Sequence, residues 1–79
     1  MNSKKKIRII MFLQKGNRIL YKISGLIARL GFSIQEFNFT AETNSRFCKI
    51  SISVQNENRI DFLIKRLRNL YEMKKIQIL

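Results

Sequence analysis

The stretch Gly25-Leu26-Ile27-Ala28-Arg29-Leu30-Gly31-Phe32-Ser33-Ile34 constrains this chain more than any other. Leu26, Ile27 and Leu30 follow Ile19 and Ile23 at i, i+4, i+7, i+8 and i+11, the stripe of a helix lying on a sheet. Gly31 comes where a helix end favours a left-handed residue, because glycine has no Cβ to clash. From Phe32 onward the pattern reads as strand. Ahead of the helix, Ile9-Ile10-Met11-Phe12-Leu13 is an apolar run that reads as another strand. Strand, one-faced helix and strand within about thirty residues begin a small α/β sandwich.

The rest of the chain repeats that unit. In Ile7–Leu13 the two-residue period puts Ile7, Ile9, Met11 and Leu13 on one face and Arg8, Ile10 and Phe12 on the other. Both faces are partly apolar, which predicts a central strand. Gln14-Lys15-Gly16-Asn17 is a turn, with Asn17 a candidate N-cap for a helix over Arg18–Leu30. A second strand is predicted over Phe32–Ala41, then a polar hairpin connection over Ala41–Ser45. The third strand, Arg46–Val54, alternates Cys48, Ile50, Ile52 and Val54 with Phe47, Lys49, Ser51 and Ser53. A second helix over Arg59–Tyr71 has Ile60, Leu63, Ile64, Leu67, Leu70 and Tyr71 as its buried stripe, with Phe62 well away from it. Met73–Leu79 is the last strand. The order β-α-β-β-α-β with right-handed crossovers gives an α+β, ferredoxin-like fold. It is one domain over residues 1–79, a four-stranded antiparallel sheet with two helices on one face. The other face carries Ile10, Phe12 and Phe47 with nothing in the chain to cover them, and Phe37 and Phe39 sit on an edge strand. Both predict an oligomer or a larger partner.

Composition limits the chemistry. There are no histidines, one cysteine and five scattered carboxylates (Glu36, Glu42, Glu57, Asp61 and Glu72), so a metal site or a histidine general base is not expected. Cys48 joins the apolar face of its strand and reads as a small core residue. An active site within the chain is poorly supplied. Met1-Asn2-Ser3-Lys4-Lys5-Lys6 is basic and precedes an apolar run, as in a secretory signal, but Arg8 interrupts and the run is too short. No segment approaches the roughly 20 apolar residues of a membrane span. The expectation is a soluble, cytoplasmic protein without membrane contact. The net charge of +11 invites a polyanion. Yet 13 Ile, 9 Lys and 7 Asn stand against 2 Ala, 3 Gly and no Pro, the mark of AT-rich codons. The charges are also spread along the chain, which favours compositional drift.

The junction at Gly25–Ile34 resembles the signature of the small regulatory subunit of acetolactate synthase, an ACT domain. In that family a strand and an Asn-x-x-Gly loop lead into a helix of the form Leu-x-Arg-Val-x-Gly-Leu-Phe-x-x-Arg-Gly-Tyr-Asn-Ile. Leu20, Lys22, Ile23, Gly25, Leu26, Ile27, Gly31, Phe32 and Ile34 match or conservatively replace that pattern. Glu36-Phe37-Asn38-Phe39 occupies the family's second strand, and the closing Ile60–Ile78 region, with Leu67-Arg68-Asn69-Leu70 before a final strand, resembles the family's ending. The resemblance spans about Arg8 to Ile78. It implies a non-catalytic subunit that binds and activates the large subunit in branched-chain amino-acid synthesis. Thiamine diphosphate, Mg and FAD would sit in that large subunit. It also implies a homodimer through ACT domains, and a valine or other branched-chain effector near the first loop and helix start. The corresponding positions here are Lys15, Asn17, Arg18, Ile19, Ser33 and Ile34. Tyr21, Ser24, Gly25, Ala28 and Phe62 are the candidate subunit contacts, with the open sheet face.

The sensing loop departs from the family. Lys15 stands for the loop Asn, Arg18 for the loop Gly and Ser33 for the later Asn. The effector carboxylate is held by backbone N–H groups at a helix start, and Arg18 adds bulk where the backbone must come close. Valine feedback is therefore expected to be weak or lost. Two other readings stay open. An RNA-recognition module shares this element order and displays aromatics as Phe12 and Phe47 do, flanked by Arg8, Arg46 and Lys49. Its third-strand Gly-Phe-Gly/Ala-Phe core is missing here. A stand-alone amino-acid-binding ACT domain needs the loop that Lys15 and Arg18 alter.

Overall fold

A computed structural model describes residues 6–16, 18–55 and 57–79. The basic stretch 1–5, the candidate cap and effector residue Asn17, and turn residue Asn56 lie outside the described residues. The elements run β1 (Lys6–Gln14), α1 (Ile19–Arg29), β2 (Ile34–Ala41), β3 (Phe47–Gln55), α2 (Ile60–Arg68) and β4 (Met73–Ile78). The sheet order is β2-β3-β1-β4 and every neighbouring pair is antiparallel. The predicted ferredoxin-like βαββαβ fold is what forms.

Alternation builds the core from the two inner strands. Ile9, Met11 and Leu13 of β1 and Cys48, Ile50, Ile52 and Val54 of β3 are buried on one face. Ile19, Ile23, Leu26 and Ile27 of α1 and Leu63, Ile64 and Leu67 of α2 close over them. Burial pushes the Cys48 thiol above its usual value, with Lys15 pulling it back less, so it is held as a neutral core thiol.

The end of α1 is set by hydrogen bonds that only a left-handed residue allows. Gly31, at φ 85°, donates its N–H to Ala28 O at 3.0 Å, and Phe32 donates to Ile27 O at 3.1 Å. This is a Schellman motif, in which the two bonds satisfy carbonyls that the helix end leaves open. It corrects the predicted second strand. Phe32 is not its first residue but a buried hydrophobic plug, and β2 starts at Ile34. Arg59 locks the same corner. Its guanidinium sits 5.3 Å from the Phe32 ring centroid, donates to the Leu30 carbonyl and binds Glu57 Oε1 at 2.8 Å.

Two further expectations change. Helix α1 starts at Ile19 rather than Arg18, which sits at the cap without a side-chain cap bond, and Ile19 N–H meets Gly16 O at 3.4 Å. Helix α2 stops at Arg68, where Asn69 N–H is shared between Lys65 O and Arg66 O. Tyr71 therefore falls in the following turn and is 85% exposed, not part of the buried stripe. The helical period no longer applies once the helix has ended.

Candidate functional site

The β1–α1 loop and the end of β2 enclose an open depression of about 420 Å³ lined by Lys15, Gly16, Ile19, Phe39 and Ala41. Each wall has a local cause. Ile19 begins α1 and turns its side chain to the core. Lys15 leaves β1 with its N–H bound to Arg46 O at 2.8 Å, and its ammonium donates to the Glu42 carbonyl. That bond ties the loop to the far end of β2. Phe39 and Ala41 pair with Ile50 and Cys48, so they share the helix-bearing face of the sheet.

Of the candidate effector residues, the structure brings Lys15 and Ile19 to this depression. Arg18 stands beside it at the helix cap and is exposed. Ser33 and Ile34 do not join them, because β2 runs away from the loop. Ile34 pairs with Val54 and Ala41 with Cys48, toward opposite ends of β3. Six steps of about 3.3 Å along β3 put those positions about 20 Å apart. Phe39, Ala41 and the Glu42 carbonyl were missed as site members by sequence reasoning. Their only signal was the apolar alternation of an edge strand, which does not say which loop it faces.

The candidate subunit contacts lie outside the core. Tyr21 is 77% exposed and Ala28 is exposed, while Ser24 and Gly25 are half-buried. Ser24 Oγ returns a hydrogen bond to Leu20 O at 2.8 Å, within its own helix. A Cβ at Gly25 would meet nothing within 4 Å, so no group of this chain needs its smallness. Phe62 is exposed on α2 with the Arg66 guanidinium 5.7 Å from its ring centroid.

The edge strand beside the depression is the less usual feature. None of the residues of β2 is buried, yet its core-side positions are Ile34, Phe37, Phe39 and Ala41. No helix among the described residues is long and apolar enough to cross a membrane.

No family model and no curated protein sequence matches this chain. Solved structures do. The ACT domain of GTP pyrophosphokinase from Chlorobium tepidum superposes with a TM-score of 0.83 at 15% identity, covering 98% of this chain and 100% of that one. The small subunit of acetolactate synthase from Thermotoga maritima gives 0.81 at 20% identity over 94% of this chain, which spans 47% of that protein. The ligand-free regulatory subunit of aspartate kinase from Thermus thermophilus gives 0.76 at 11% identity, with 98% and 53% covered. The chain has the ACT-domain fold.

Proposed function

We propose that this chain is a regulatory small subunit that binds the catalytic subunit of acetolactate synthase and raises its activity. The observation that carries the reading is the α1–β2 junction. Gly25, Leu26, Ile27, Gly31, Phe32 and Ile34 match or conservatively replace the family's pattern, and Gly31 sits in the left-handed turn that such a pattern serves. The likeness to an acetolactate synthase small subunit over nearly the whole chain supports it. On this reading the chain is cytoplasmic and does no chemistry itself. Thiamine diphosphate, Mg and FAD belong to the catalytic subunit.

Pairing of two copies fits the bare edge. Two β2 strands laid antiparallel would satisfy their outer backbone groups and cover Phe37 and Phe39. The two-fold axis would bring the partner copy's Ser33 and Ile34 toward the Lys15–Ile19 depression, reuniting positions that one chain keeps apart. Tyr21, Ser24, Gly25, Ala28 and Phe62 are the helix-layer positions offered to neighbouring subunits. The effector site itself is altered. Arg18 stands at the helix cap where the family has glycine, and the Lys15 ammonium already has a carbonyl partner. Activation is therefore retained while valine feedback is weak or lost.

The test is copurification with the catalytic subunit, then assay of acetolactate formation with and without this chain. Severalfold stimulation that is insensitive to valine is expected. Absence of stimulation sinks the reading. Micromolar valine binding by calorimetry would overturn the loss of feedback, and such binding without stimulation would favour a stand-alone amino-acid-binding ACT domain.

A further inference from the structure

The sheet face away from the helices is uncovered, and the strand register fixes what it displays. On β1, Phe12 stands between Lys49 of β3 and Lys75 of β4. Strands lie about 4.8 Å apart, so the two lysine backbones are about 10 Å apart with the phenyl ring between them. In the next row Ile10 lies between Ser51 and Gln77. One row further, Arg8 opposes Ser53 and reaches Glu36 at 3.7 Å. Ile10 and Phe12 are half-buried, and Phe47 at the rim is 48% exposed. Glu36 is also held by the Ser53 hydroxyl, at 3.2 Å. Among the described residues Lys49 and Lys75 form no ion pair. An apolar middle is thus flanked by two cations without counter-charge.

We infer that this face docks on an acidic surface of the catalytic subunit, with one carboxylate seated against Lys49, another against Lys75, and apolar side chains over Phe12 and Phe47. The inference rests on the proposed function, and names the surface and chemistry of the contact. Charge decides the occupant. A second copy of this face would set lysine against lysine, on chains that each carry +11. Single-stranded nucleic acid stacks on open aromatic platforms of the central strands. Here Phe12 is half-buried between its lysines, and Phe47 opposes Gln14 at the end of the ladder. A protein surface can fill the apolar middle and neutralise the two cations together.

Binding of the full chain to the purified catalytic subunit, measured at low and high salt alongside acetolactate formation, tests this. The double variant Lys49→Glu/Lys75→Glu should bind at least about tenfold more weakly and lose most of the salt dependence. Phe47→Ala should weaken binding about threefold. Lys65→Glu/Arg68→Glu on exposed α2 positions makes the same charge change and should stay within about twofold. Thermal unfolding of each variant separates misfolding from lost contact. If the wild type neither binds nor activates, the proposed function fails and this inference with it. If the wild type activates and the double variant binds equally well, or no worse than the α2 variant, the inference alone is overturned. Tight binding of labelled oligouridine by the wild type, lost in the double variant, overturns it in favour of nucleic acid.

Discussion

Strands β2 and β3 lie side by side in one ladder and carry similar apolar alternation, yet they do opposite work. On β3, Cys48, Ile50, Ile52 and Val54 are all buried. On β2 their direct partners Ala41, Phe39, Phe37 and Ile34 are all exposed. Both sets point to the same side of the sheet. The difference is position: β3 is flanked by β1 and β2, whereas β2 has a free edge. Alternation therefore encodes which residues share a face, and topology decides whether that face is covered. An edge that keeps large aromatics in the open is built to be covered from outside.

The largest predicted effect tests the contrast directly. Ile52→Ala should cost about 3–4 kcal/mol, because it removes a fully buried side chain and leaves a cavity. A domain of this size holds only about 4–12 kcal/mol, so the loss is severe. Phe37→Ala, at the paired position on β2, should cost under about 1 kcal/mol in the monomer. Urea unfolding at low protein concentration reads both. Equal losses would show that β2 belongs to the monomer's core as fully as β3 does.

This contrast also marks what the sequence could reveal. The elements, the buried faces of β1 and β3 and the left-handed Gly31 were legible, since they follow from local period and backbone sterics. The Phe32 plug was not, because burial after a helix end depends on the turn rather than on strand alternation. The stripe failed at Tyr71 for the same reason: the period was extended past the point where Asn69 closes the helix. The depression was half legible. Lys15 and Ile19 belong to one local segment, but Phe39 and Ala41 reach it only through pairing of β2 with β3. Arg59 was read only as the start of a helix, although it joins Leu30 and Phe32 across the fold while its neighbour Glu57 holds the guanidinium.

Breaking the edge from outside gives the next effect. Phe39→Lys puts a charge on β2, 43% exposed, where pairing would bury it. Self-association should weaken about 30-fold, or about 2 kcal/mol, by analytical ultracentrifugation. Monomer unfolding should stay within about 1 kcal/mol of wild type. Unchanged association would remove β2 from the proposed dimer interface.

The turn that delivers the chain to this edge comes next. Gly31→Ala places a Cβ at φ 85°, a conformation that costs an L-residue about 1–2 kcal/mol. Space is not the obstacle, because the nearest Arg59 nitrogen would be 3.5 Å away, an ordinary contact. The loss should be smaller in Gly31→Asn, whose side chain tolerates the left-handed region, since the strain is in the backbone. A larger loss in the asparagine variant would show that crowding by Arg59 dominates instead. Gly25→Ala, inside α1 and facing open space, should raise monomer stability by about 1 kcal/mol.

The smallest effect concerns the opposite edge, where β4 is reached through Glu72. Lys22 of α1 holds Glu72 Oε2 at 2.6 Å, and Glu72 O accepts the Gln14 N–H at 2.8 Å. The contact fixes the approach to β4 from inside the chain. The hydrogen bond from Lys22, then one from the residue's own backbone, holds the Glu72 carboxyl below its ordinary 4.5, against a weaker opposing push from burial. Across the interval between the two values the unfolded chain binds the proton more readily, so stability rises with pH there. The contribution is complete above the unfolded value and disappears as pH falls through the folded one. Lys22→Met removes the main cause and leaves the burial penalty. Wild type and variant should therefore differ in urea midpoint near pH 7 and converge once the pH has fallen below the folded value. A gap that stays constant over that range would mean that Lys22 acts through its aliphatic packing, and that the β4 edge is held by contact rather than by charge.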